Sequence, residues 1–210
     1  MIFNRHFELK TEHAFLGASS YHWLNDDGEE LRQRYLRSFS QTIGTVLHAQ
    51  CADHILYRVK LLKTDRNKFL LPLLKAGVPA EAFDLDEIFP TLYSYVNDAI
   101  AYRMTPEQKL VYSPRAFGTA DTIGCDEKKK ILRISDLKTG LIPGHMEQLE
   151  IYAAYFFLEY GREYRLTPAN TAMELRIYQR NEVVEHRPEP ERIKYIMDRV
   201  VRDDKMLEEI

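Results

Sequence analysis

The chain has 210 residues, 45% of them hydrophobic and 29% charged, with a formal net charge of −3. That composition excludes wholesale disorder and collagen-like sequence, and no apolar run approaches the ~20 residues that span a bilayer. A dedicated nucleic-acid coat protein is usually basic, whereas an enzyme that holds a cation among carboxylates can keep its basic residues local. The N-terminal eight residues lack the apolar core of a secretory signal. Two cysteines, Cys51 and Cys125, are too few for a disulfide framework or a four-cysteine metal site. The expected setting is a reducing cytoplasm, away from membrane.

From Glu29 to about Leu62 there is no proline, and apolar residues from Tyr35 through Ile43, Leu47, Cys51 and Ile55 to Val59 and Leu62 recur in steps of three and four. That spacing predicts a long helix. A shorter one runs from Asn67 to Ala76 and is ended by Gly77 and Pro79. Asp84 to Arg103 is helical too, with Pro90 expected to break it or to start a new helix. The period then changes. Lys109–Tyr112 reads as a short strand, and Ala116–Ile123 and Lys130–Leu137 alternate in strand fashion around the charged turn 126–130. His145–Tyr160 is helical, closed by Gly161. Met173–Gln179 and Glu182–His186 form a hairpin around Arg180 and Asn181, and Pro190–Leu207 is a last amphipathic helix. The expected fold is mixed α+β, with a central mixed sheet of about five strands flanked by helices. It is expected to be one domain over 1–210: a helical part to about 105, a core over about 106–187 and a C-terminal helix over about 188–210.

Asp136 and Lys138 share a strand face that is apolar at Leu132 and Ile134. A charged pair at the end of such a face is costly unless compensated. If the two strands pair about Lys128 and Lys129, Asp121 lies opposite Asp136, with Cβ atoms ~5 Å apart. A divalent cation between the carboxylates removes their repulsion, and oxygen donors of this kind suit Mg²⁺. Lys138 would then position a water or neutralise a phosphate. The plainer alternative is a surface salt bridge on an edge strand. On the long helix, Gly44, His48, Cys51 and Ile55 fall on one stripe, so His48 faces inward, as a ligand or as a structural histidine. A zinc site starting from His48 and Cys51 lacks enough soft ligands. Gln148 and Tyr152 lie one turn apart on the following helix, as a DNA-contacting edge or an ordinary helix boundary. Tyr93, Tyr95 and Tyr102 could stack on bases or belong to the core.

In order, Gly44-x-x-x-His48, Gly118-x-x-Asp121, Asp136-Leu137-Lys138-Thr139-Gly140 and Gln148-x-x-x-Tyr152 resemble the RecB-type branch of the PD-(D/E)XK nuclease superfamily. The motifs cover about half the chain. With Ser19-Ser20-Tyr21-His22-Trp23-Leu24 near the start, the layout is similar to small phage-encoded exonucleases of that branch, which are likened to the nuclease of CRISPR adaptation. The resemblance implies a restriction-endonuclease-like core and a Mg²⁺- or Mn²⁺-dependent DNA exonuclease serving replication, recombination or repair. It makes His48, Asp121, Asp136 and the Leu137 carbonyl metal ligands and Lys138 the catalytic lysine. Gln148, Tyr152 and Ser20 (or Ser19) would contact DNA. Implied partners are DNA, a single-strand annealing or recombination protein, and further copies of the chain, as in the trimeric ring of lambda exonuclease. Many relatives carry four cysteines for an iron–sulfur cluster; with only two here, none is expected. No Walker A pattern is present. Two other readings stand beside the nuclease: a non-catalytic or partner-dependent DNA-binding and recruiting module on the same fold, and a hydrolase of another phosphoester.

Overall fold

A computed structural model describes residues 3–7, 13–140 and 142–209; part of the N-terminal stretch read above lies outside them. The first half is helical: α1 (Gly28–Ser38), α2 (Ser40–Leu56), the short α3 (Leu70–Lys75) and α4 (Leu85–Ala101). Three strands follow, β1 (Thr105–Ser113), β2 (Ala116–Asp126) and β3 (Ile131–Lys138), then α5 (Met146–Tyr164), β4 (Ala172–Gln179), β5 (Glu182–His186) and α6 (Pro190–Glu208). The five strands form one mixed sheet in the order β1-β2-β3-β4-β5. All neighbours are antiparallel except β3 and β4, which run parallel because α5 carries the chain back across the sheet.

Two apolar clusters cover the two faces. Leu47, Cys51 and Ile55 of α2 and Leu92 and Val96 of α4 pack with Met104, Leu137 and Tyr178 on one side. Leu149, Ala153 and Phe157 of α5 and Ile193 of α6 pack with Leu110, Leu132, Ile134 and Leu175 on the other. Helices on both sides explain why Ile134, Ser135, Asp136 and Leu137 are buried in succession. Each fully buried Leu or Ile contributes about 1.5–3 kcal/mol relative to exposure. Tyr178 also donates to Asp98 at 2.8 Å, which ties β4 to α4. Among the described residues no helix is long and apolar enough to cross a membrane.

Several boundaries differ from the sequence reading. The long first helix is two, broken at Phe39, where Ser38 and Ser40 hydroxyls donate to the carbonyls of Tyr35 and Arg37, both at 2.6 Å. Such local bonds compete with the helical ladder. Helix α2 stops at Leu56, so Val59 and Leu62 are exposed rather than on the inner stripe. Pro90 neither breaks nor starts a helix: it lies inside α4, in the second turn, where it removes a single ladder bond, and Asp84 caps that helix through the amides of Asp86 and Glu87. Gly161 does not close α5, which runs to Tyr164. A Cβ there would stand 2.8 Å from the Leu166 carbonyl oxygen, so the glycine admits the returning chain. Strand β1 has nine residues, longer than the four expected, because an edge strand tolerates Pro106. The β4–β5 hairpin does turn on Arg180 and Asn181, both with positive φ, as a two-residue primed turn requires. In the charged turn 126–130, residues 127–130 are exposed and Asp126 is half-buried.

Candidate metal centre

The β2–β3 ladder has the register expected from the turn at 128–129, and its last pair is Thr122 with Ser135. One step further Asp121 faces Asp136, but there the two strands separate. Asp121 fills the gap: its carboxylate accepts from the Leu137 backbone N–H at 2.8 Å. The flanking pairs Pro106–Thr122 and Gln108–Ala120 place Glu107 opposite Asp121 on the other side. Glu107 itself has φ +51°, a left-handed conformation that non-glycine residues adopt at a cost and that concentrates at functional sites. Three carboxylates, Glu107, Asp121 and Asp136, thus stand at one level across three adjacent strands.

Helix α2 adds a fourth group. His48 Nδ1 lies 3.5 Å from Asp121 Oδ2. The buried stripe of α2 is Ile43, Leu47, Cys51 and Ile55, so Cys51 and Ile55 belong to the core. Gly44 and His48 lie beside that stripe and are only half-buried. A Cβ at Gly44 would meet Thr139 Oγ1 at an ordinary 3.5 Å, so close approach there does not require glycine. Ligand atoms of His48, Glu107 and Asp121 all lie within 4.8 Å of one another.

Asp136 takes a different posture. Lys138 Nζ donates to its Oδ1 at 3.0 Å, while Oδ2, equally near the ammonium, is buried without a hydrogen bond of its own. Gln148 Oε1 lies 3.5 Å from the same ammonium, and Gln148 Nε2 donates to the Tyr152 hydroxyl at 3.1 Å. Burial is the first cause that raises the carboxyls of Asp121, Asp136 and Glu107 above their ordinary range. His48 opposes the rise at Asp121 and the Asp136 charge adds to it; Lys138 opposes it at Asp136; at Glu107 the Asp121 charge adds to it.

The donor set fits a hard divalent cation. Carboxylate oxygens and one imidazole converge, Asp136 Oδ2 has the Lys138 ammonium beside it but no hydrogen bond of its own, and burial makes charge on these carboxylates costly unless a cation compensates it. Cys51 is apart from this group: it is sealed in the α2 core, where burial pushes its thiol far up. Cys125 is half-buried, with its thiol pushed up to about 11 by burial. Leu137 enters the centre through its N–H. Ser20 lies in the exposed 3-10 segment Ala18–Asn25, at a non-helical φ of −109°, and neither Ser19 nor Ser20 caps that segment. Among the described residues no hydrogen bond joins Ser20 to the centre. Tyr95 is buried against Tyr178, and the Tyr102 ring is flanked by the Arg133 and Arg176 guanidinium groups at 4.5 and 4.8 Å.

Glu107 is the group that the sequence reading missed. A regular hairpin closed by Ser113 and Ala116 would set Glu107 against Thr122; the register shift between Val111 and Ser113, which no sequence pattern reports, sets it against Asp121 instead. A comparison of the chain with protein-family models finds no match, nor does one with curated proteins.

Proposed function

We propose that this protein hydrolyses phosphodiester bonds with the help of a divalent cation. More narrowly, we read it as a DNA exonuclease of the RecB-type PD-(D/E)XK kind that uses Mg²⁺ or Mn²⁺ in a reducing cytoplasm. The observation that carries this reading is the row Glu107–Asp121–Asp136 at one level of the sheet, with His48 on one side and Lys138 on the other. The carboxylates of Glu107 and Asp121 and the His48 imidazole would hold the cation, joined by Asp136 Oδ2, which the Lys138 ammonium flanks. When bound, it would polarise a phosphoryl oxygen and acidify a water. Lys138 keeps donors beyond the one given to Asp136, and these can orient the scissile phosphate or the attacking water. Where β2 and β3 separate, Glu107 is exposed and His48, Asp121 and Lys138 are partly so, within reach of a strand of nucleic acid, while Asp136 stays buried behind them. The motif order from Gly44 to Tyr152 supports DNA over other phosphoesters.

The test uses linear duplex DNA labelled at either end and closed circular DNA, with Mg²⁺, Mn²⁺ or EDTA. The expected result is metal-dependent loss of linear DNA that spares circles and falls by about 10²–10³-fold or more in Asp136→Ala. Intact DNA in every lane with binding retained would overturn the enzyme reading in favour of a recruiting module. Cleavage of circles would overturn the exonuclease part.

A further inference from the structure

The resemblance makes Gln148 and Tyr152 DNA contacts, but their hydrogen bonds point inward, to the lysine. We propose that Gly118, Tyr152 and Gln148 form a positioning relay that fixes the Lys138 ammonium beside Asp136; this rests on the metal-dependent nuclease reading given above. An ammonium only donates, so the oxygen end of the Gln148 amide must face it. The nitrogen end then donates to the Tyr152 hydroxyl at 3.1 Å. The tyrosine ring is in turn held against β2: a Cβ at Gly118 would stand 2.7 Å from Tyr152 Cε1, closer than packing allows. The lysine stem is confined as well, since a Cβ at Gly144 would lie 3.3 Å from Lys138 Cε and 2.9 Å from Ile177 Cγ2.

A flexible four-carbon stem otherwise samples many rotamers, and its ordering is entropically costly. Asp136 alone holds one donor of the ammonium. Gln148 constrains a second, at 3.5 Å, and leaves the third for substrate. The glycine at 118 is thus required for a side chain three contacts away. Gln148 and Tyr152 are positioning residues for the lysine, and Gly118 sets the distance between β2 and α5 at which the relay closes.

Two readouts test this. The first needs neither DNA nor metal: the rate at which an amine-acylating reagent labels Lys138, measured by mass spectrometry against exposed Lys75 in the same protein. Gln148→Ala, Tyr152→Phe and Gly118→Ala should each label Lys138 several-fold faster than wild type. Gln148→Glu keeps an oxygen on the ammonium and should restore slow labelling. The second is kinetic. The same three variants should lose about 10- to 100-fold in kcat, the usual effect of removing a group that orients an active one, with KM within twofold. A rise in KM at unchanged kcat would instead make the pair DNA contacts and overturn the relay. Unchanged Lys138 labelling in folded Gln148→Ala would overturn it whatever the cleavage assay gives. Faster labelling in the variants of a protein that cleaves no DNA would uphold the relay and sink the nuclease reading.

Discussion

Asp121 occupies the point where β2 leaves β3, and its carboxylate does two jobs there: it satisfies the Leu137 amide and it faces His48. A carboxyl that burial raises above its unfolded value of about 4 keeps its proton longer in the folded chain than in the unfolded one. It therefore stabilises the fold fully below about pH 4, and that contribution is lost as pH rises through the folded value. The metal-free protein thus carries a penalty at neutral pH. Asp121→Asn keeps an acceptor for Leu137 and removes the charge. It should raise the Tm of the metal-free protein at pH 7 by about 2–4 °C, or ~1 kcal/mol, and flatten the fall in Tm between about pH 4 and neutrality. A lower Tm in thermal scans across that range would show that the carboxylate supports the fold rather than awaiting a cation. Asp121, Asp136 and Lys138 were legible in the sequence because period-two alternation and a charged turn fix a register. Glu107 was not, because its left-handed backbone and the neighbouring proline hide the strand to which it belongs.

Three helices end on arginine where a glycine would be the usual sign. Arg58, Arg103 and Arg165 have φ of 57°, 57° and 55°, and the residue after each donates back to a carbonyl of the last turn: Val59 to His54, Met104 to Ala99 and Leu166 to Gly161. These are glycine-type C-caps built with the wrong residue, which is why these three ends could not be read from glycine positions, whereas α3 ends before Gly77, at φ +78°, as its glycine predicted. Gly161, the glycine that looked like an end, serves a close approach instead. The left-handed region costs a residue with a Cβ about 1 kcal/mol or more. Arg165 is exposed, so Arg165→Gly should raise the Tm by about 2–4 °C with the fold unchanged. Loss of Tm in a thermal scan would mean that the side chain stabilises this end more than its backbone strains it. Element type was read more securely than element length. The β4–β5 hairpin and α6 stand where the pattern set them, while the break at Phe39 depends on two serine hydroxyls that no apolar period reports.

At the scale of the molecule, the sheet brings together groups from both of its covering layers. Helix α2 packs on one face and supplies His48; α5 packs on the other and supplies Gln148; β1, β2 and β3 between them carry the three carboxylates. The mixed five-stranded sheet was expected from the order of elements, and the supply of His48 from one face and Gln148 from the other follows from it. The centre therefore samples the integrity of the whole fold, and a cation bound at 100 times its Kd would add about 2.7 kcal/mol to that fold's stability. The most direct measurement is a titration of the pure protein with Mn²⁺ followed by electron paramagnetic resonance, which counts free and bound ion without DNA or turnover. The account predicts saturable binding that is lost or weakened at least about tenfold in Glu107→Gln and in Asp121→Asn, both still folded. No binding by the wild type, or binding that both variants retain unchanged, would contradict it.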